Sequence, residues 1–214
     1  MIKGFIFDFG GVIVRTEDYS PRHAWDERLG LPIGSVERAV HHSDLWVQAQ
    51  LGRVTYDAYW QGVAELLYMH NDQDNIAELR KDYFKGDRLN YKLVNLIREL
   101  REDGYPVVLL SNESPELTER LHELNIYDLF DQVLISALIG VMKPDATAYR
   151  VALRALNVAP HEAIFVDDSL ANIRGAQALG IQTLLFRGEV DFRAEFAKHL
   201  KKDDDNQPTD AEES

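Results

Sequence analysis

The chain has no cysteine, which removes disulfides, thiolate nucleophiles and zinc–thiolate sites from consideration. No apolar run approaches the roughly 18 residues of a membrane span, and nothing before the last residues is repeated or of low complexity. Basic residues are in deficit, 23 Lys and Arg against 36 Asp and Glu, for a net charge of −13. Binding nucleic acid requires clustered cations, so neither a nucleic-acid nor a membrane partner is expected. Met1-Ile2-Lys3-Gly4-Phe5 lacks both the apolar stretch and the cleavage site of a secretion signal, which predicts a cytoplasmic protein. Part of the negative charge is local: residues 201–214 hold six acids against two lysines, the composition of an acidic disordered tail.

What is present is an ordinary globular mixture, and 214 residues suffice for one core plus a smaller accessory unit. Four short β-rich runs end in small, polar or acidic residues: Gly4 to Asp8, Pro106 to Ser111, Gln132 to Ser136 and Ala163 to Asp168; Ile181 to Phe186 supplies a fifth. Helices are predicted to start at Ser114-Pro115, with N-cap and N1 chemistry, at Pro144-Asp145 and at Ser169, and a last short one over Asp191 to Leu200. Strands alternating with helices imply an α/β fold with a doubly wound parallel sheet.

The gap between the first two strands is too long for one crossover. It reads as helices throughout: Pro21 to Leu29, Ser35 to His42, Leu45 to Leu51, Thr55 to His70 and Gln73 to Phe84, after which Asn90 to Glu102 returns to the sheet. We therefore expect a core domain of residues 1–16 and 87–200, an inserted all-helical cap of residues 17–86, and the tail.

In a parallel sheet the carboxyl ends of all strands share one edge, where open α/β sheets bind ligands. That edge collects Asp8, followed by Gly10-Gly11, then Ser111-Asn112, Lys143-Pro144 and Asp167-Asp168-Ser169. A nucleophilic carboxylate, a hydroxyl near a helix N-terminus, a lysine and paired acids suit phosphate together with a divalent cation.

With these four pieces in order, Phe5-Ile6-Phe7-Asp8-Phe9-Gly10-Gly11-Val12, Val107-Val108-Leu109-Leu110-Ser111-Asn112, Gly140-Val141-Met142-Lys143-Pro144-Asp145 and Phe165-Val166-Asp167-Asp168-Ser169-Leu170-Ala171-Asn172, the chain resembles the haloacid dehalogenase superfamily over residues 1 to about 188. The match is to its phosphatase-like members, with a Rossmann-like core and a helical cap. The resemblance implies that Asp8 attacks phosphorus and becomes a transient aspartyl phosphate, that Ser111 and groups near Asn112 bind the phosphoryl oxygens, and that Lys143 neutralises their charge. It implies Mg2+ held by Asp8, the Gly10 carbonyl and the paired acids, with Asp168 the direct ligand and Asp167 a second ligand or a supporting partner. The expected substrate is a small phosphorylated metabolite, such as a sugar phosphate, and the protein a monomer or homodimer.

One position departs from the pattern. Phosphatases of this superfamily usually carry a second aspartate two residues after the nucleophile, for proton transfer, and here that residue is Gly10. Glu113, Asn112 and His23 are candidate substitutes, and spacing selects none of them. Two other functions stay open on the motifs: hydrolysis at carbon, as in 2-haloacid dehalogenases, and a weakly active protein that binds phosphate or a partner. Arg15, leaving the first strand's flap, and Arg53, in the Gly52-Arg53-Val54-Thr55 break, are expected to grip the charged remainder of the substrate. Adjacent helical residues point about 100° apart, so His41-His42 is not expected to hold a metal. Trp25, Trp46 and Trp60 are expected to pack the cap.

Overall fold

A computed structural model describes residues 1–69, 72–188 and 191–200; the predicted tail, residues 201–214, lies outside these. Strands β1 (Gly4–Phe7) and β2 (Val14–Thr16) open the chain, and five helices follow: α1 (Ser20–Arg28), α2 (Ser35–His41), α3 (Asp44–Gln50), α4 (Tyr56–Leu66) and α5 (Gln73–Tyr83). Then come β3 (Asp87–Leu89), α6 (Tyr91–Glu102), β4 (Val107–Ser111), α7 (Leu117–Glu123), β5 (Gln132–Ile135), α8 (Ser136–Ile139) and α9 (Ala146–Leu156). The described residues finish with β6 (Ala163–Asp167), α10 (Leu170–Gln177), β7 (Gln182–Leu185) and α11 (Phe192–Leu200). No helix among the described residues is long and apolar enough to cross a membrane.

The five-stranded parallel sheet has the order β5-β4-β1-β6-β7. The chain leaves β1 for one side and later returns to its other flank, so β1 ends at the crevice where such sheets open. Side chains alternate across it with period two. Phe5, Phe7, Val107, Leu109, Ile164 and Val166 join one apolar layer with Leu93 and Ile97 of α6; Ile6, Val108, Leu110 and Phe165 join the other with Tyr149 and Ala152 of α9. Burial on both faces explains why these strands are apolar runs rather than alternating ones.

Helices α1–α5 build a third apolar cluster around Tyr59, Trp60, Val63, Leu79 and Tyr83. Thr55 caps α4, its side chain accepting the Ala58 N–H. The insertion hangs from a two-stranded antiparallel ribbon, β2 with β3, which sequence reading did not anticipate because each strand is only three residues long. Two helix starts also differ. Ser114 caps nothing: it is buried and its N–H goes to the Glu113 carboxylate at 2.9 Å, so α7 begins at Leu117. The turn expected after β5 is the one-turn helix α8.

Candidate active site

The Asp8 N–H extends the β1 ladder to the Val166 carbonyl at 2.9 Å, and the Phe9 carbonyl then takes the N–H groups of Ile13 and Val14 at 2.9 and 3.0 Å. These bonds fold the chain into a tight loop with Gly11 at φ +77°. A Cβ on Gly11 would lie 2.0 Å from Asp168 Oδ2, so the loop closes over that acid only because residue 11 is glycine. A Cβ on Gly10 would meet nothing within 4 Å.

Lys143, 1% exposed, reaches this point from the loop between α8 and α9. Its ammonium lies 2.7 Å from Asp8 Oδ1 and 2.7 Å from Asp167 Oδ2. Burial alone would push the lysine down, but the two carboxylates outweigh it and raise it above its ordinary value. Burial pushes the Asp8 carboxyl up to about 7, with Lys143 pulling the other way and Asp167 adding to the rise. Asp167 is fully buried and saturated: besides Lys143 it accepts the Ser169 N–H at 2.8 Å and the Asn172 amide at 3.1 Å on both oxygens. Asp168 is more open, its carboxyl raised by burial and by Asp167. Asp8, Asp167 and Asp168 bring one oxygen each within 4.8 Å of one another, an all-oxygen set that fits a hard cation such as Mg2+.

Ser111 ends β4 beside this cluster in the sheet order, 2% exposed. Asn112 is otherwise engaged. Its side-chain amide donates to the Lys143 carbonyl and its side-chain oxygen accepts the Lys143 N–H, both at 2.8 Å, so the side chain clasps the lysine loop. The cap docks here. Gln50 donates to the Asn112 carbonyl at 2.7 Å, Ser136 Oγ donates to the Gln50 carbonyl at 2.6 Å, and a Cβ on Gly52 would strike the Ala137 carbonyl at 2.5 Å.

Arg15 lines a cavity of about 470 Å³ with Gly10, Gly11 and Asp168, its guanidinium 5.5 Å from the Phe186 ring centroid. Arg53 is not brought to the site. It is exposed, bonded to Gln48 at 3.4 Å, because the tight approach of Gly52 to the core turns the next residue outward. His41 and His42 both line the Arg15 cavity; burial holds His41 down at about 4, with its Nδ1 3.1 Å from the Tyr83 hydroxyl. Trp25 and Trp60 pack within the cap cluster and the half-buried Trp46 packs against it, as expected.

The family model for haloacid dehalogenase-like hydrolases matches residues 2–180. The chain belongs to that family. A glyceraldehyde 3-phosphate phosphatase of Pyrococcus abyssi is 39% identical over 209 residues, covering 87% of this chain and 82% of its own. A sesquiterpene phosphatase of Aspergillus oryzae is 29% identical over 180 residues, covering 84% and 87%. A HAD family enzyme from Bacteroides thetaiotaomicron, solved in complex with magnesium and inorganic phosphate, superposes with a TM-score of 0.75 at 22% identity, covering 92% of this chain and all of that one.

Around this hydrolase framework lie residues that sequence reasoning missed. Arg22 of the cap, 3% exposed, bonds Thr16, Glu37 and the Tyr83 carbonyl and pairs with Asp87 Oδ1 at 3.2 Å. Asp87 Oδ2 accepts Arg120 of the core at 2.6 Å, so one hinge carboxylate ties the cap to α7. These partners are 65 and 33 residues apart in sequence, and no local signal pairs them.

Proposed function

We propose that the protein is a magnesium-dependent phosphomonoesterase that works through an aspartyl phosphate on Asp8. One observation carries this reading: a buried ammonium, Lys143, held 2.7 Å from both Asp8 and Asp167 at the sheet's crevice. The lysine keeps Asp8 charged for attack and offsets the phosphoryl charge, and Asp167 fixes the lysine in place. Ser111 supplies a hydroxyl to the transferring group, and Arg15 grips the phosphate-side end of the substrate. Asp8, Asp168 and the Gly10 carbonyl would hold Mg2+, with Asp167 behind them, and the bound ion would supply charge neutralisation to the phosphoryl oxygens. The paired acids, one saturated and one open, argue against the dehalogenase reading, whose chemistry needs no cation.

The leaving group is assigned to a second cavity, of about 840 Å³, between the cap and α7. Its walls mix Trp46, Tyr56 and Phe84 with Arg80, Lys81 and Glu116. Glu116 Oε2 and Trp60 Nε1 are buried there with no partner among the described residues. Each such atom costs about 1–3 kcal/mol unless a ligand satisfies it. This supports a hydroxylated metabolite, a sugar or polyol phosphate, over a purely apolar chain. The experiment is phosphate release from sugar phosphates, polyol phosphates, a prenyl phosphate and para-nitrophenyl phosphate, with Asp8→Asn and a chelator as controls. The reading expects activity that needs both Mg2+ and Asp8 and favours the hydroxylated substrates; release that survives Asp8→Asn would overturn it.

A further inference from the structure

The phosphate-side cavity and the cap cavity share four wall residues, His41, Phe84, Glu113 and Arg120. A phosphate monoester attacked by Asp8 with its remainder in the cap cavity would run past this junction, and its leaving oxygen would need a proton there. Three of the four cannot serve. Phe84 has no proton to give, the Arg120 guanidinium is bound to Asp87, and His41, held down at about 4, is neutral. The other carboxylates of the phosphate-side cavity are committed: Glu37 to Arg22, Asp87 to Arg22 and Arg120, and Asp168 to the acidic cluster. Glu113 forms no ion pair among the described residues, and its Oε2 is anchored by the Ser114 N–H at 2.9 Å. Its own N–H is fixed by Ser136 Oγ at 3.0 Å, directly after Ser111-Asn112.

Building on the phosphomonoesterase reading, we propose that Glu113 is the general acid and base of the reaction, standing in for the side chain that Gly10 lacks. Its surroundings suit the role. Burial pushes the Glu113 carboxyl up to about 7, with Asp8 and Glu116 adding to the rise and the Ser114 N–H and Arg120 pulling it down. In the first step an Asp8 oxygen bonds to phosphorus and the bond to the leaving oxygen breaks. That oxygen keeps the electron pair and takes the Glu113 proton. In the second step the Glu113 carboxylate takes a proton from water as the water oxygen bonds to phosphorus. The phosphorus–Asp8 bond breaks, and its electrons return to the carboxylate.

The test compares Glu113→Gln with wild type, as full chains with Mg2+, on an unactivated sugar phosphate and on para-nitrophenyl phosphate, whose leaving group needs little protonation. The proposal expects kcat on the sugar phosphate to fall about 10²–10⁴-fold, with a loss at least about tenfold smaller on para-nitrophenyl phosphate. It also expects the decline of wild-type kcat above about pH 7 to vanish in the variant. Adding Gly10→Asp, which has open space for its side chain, should recover part of the sugar-phosphate activity. Equal losses on both substrates, with the pH profile unchanged, would overturn the role of Glu113. Wild type that releases no phosphate from any ester would instead defeat the phosphomonoesterase reading on which the proposal rests.

Discussion

The two ends of the cleft differ in how completely their polar atoms are used. At the sheet edge, Asp167 and Asn112 have both of their side-chain polar atoms engaged, Asn112 on the Lys143 backbone and Asp167 on the Lys143 ammonium, the Ser169 N–H and the Asn172 amide. Under the cap, Glu116 Oε2 and Trp60 Nε1 are buried with no partner among the described residues. The first end is preorganised whatever the substrate, as charge stabilisation in a dry site requires. The second is open to completion by whatever binds.

The contrast breaks most sharply if Lys143 is removed. Lys143→Ala leaves Asp8 and Asp167 facing each other in a buried site, and we expect kcat to fall about 10³-fold and stability at neutral pH to fall by about 3–5 kcal/mol. Steady-state kinetics with chemical denaturation checks both; a variant with near-normal values would show the sheet edge is not organised by its lysine. Next in size is Asp87→Ala at the hinge, which leaves Arg22 with Glu37 alone and takes from Arg120 its carboxylate partner. It should cost about 3–5 kcal/mol in denaturation, with KM affected more than kcat because the cap wall moves while the phosphate end stays.

The pH dependence of stability sharpens the comparison further. Glu113 has a folded value of about 7, raised by burial from its ordinary 4.5. Its contribution is therefore fully present below about pH 4.5 and is lost as pH rises through 7. Glu113→Gln should match wild type near pH 4 and exceed it in melting temperature at pH 8; the opposite order would mean the carboxylate is stabilised in the fold. The smallest effect is expected for Arg53→Ala, since the exposed guanidinium lines neither cavity. Activity should change by less than about twofold and stability by less than about 0.5 kcal/mol. A large rise in KM would return Arg53 to the substrate.

The same division separates what was legible in the sequence from what was not. Asp8, Ser111, Lys143 and Asp168 could be read because a parallel sheet puts every strand's carboxyl end on one edge, so order along the chain predicts convergence in space. The five cap helices were readable from their own periodicity, within a residue or two at most ends. The cap's attachment was not. Arg22 meets Asp87, and Gln50 meets Asn112, through contacts that exist only once the insertion folds back. Asn112 shows the limit within a motif: its place at a strand end was readable, but that its side-chain amide holds the lysine loop was not. Glu113 was one of three candidates until the fold placed it at the junction of the cavities, spent the Asn112 amide elsewhere and left His23 away from both.

Whether Asp8 carries the phosphoryl group is read out by acid-quenched single turnover with a labelled phosphate ester and Mg2+. We expect label on the peptide containing Asp8, absent from Asp8→Asn and absent without the metal. Rapid phosphate release with no label on the protein at any time would contradict it, and would mean that water attacks phosphorus directly.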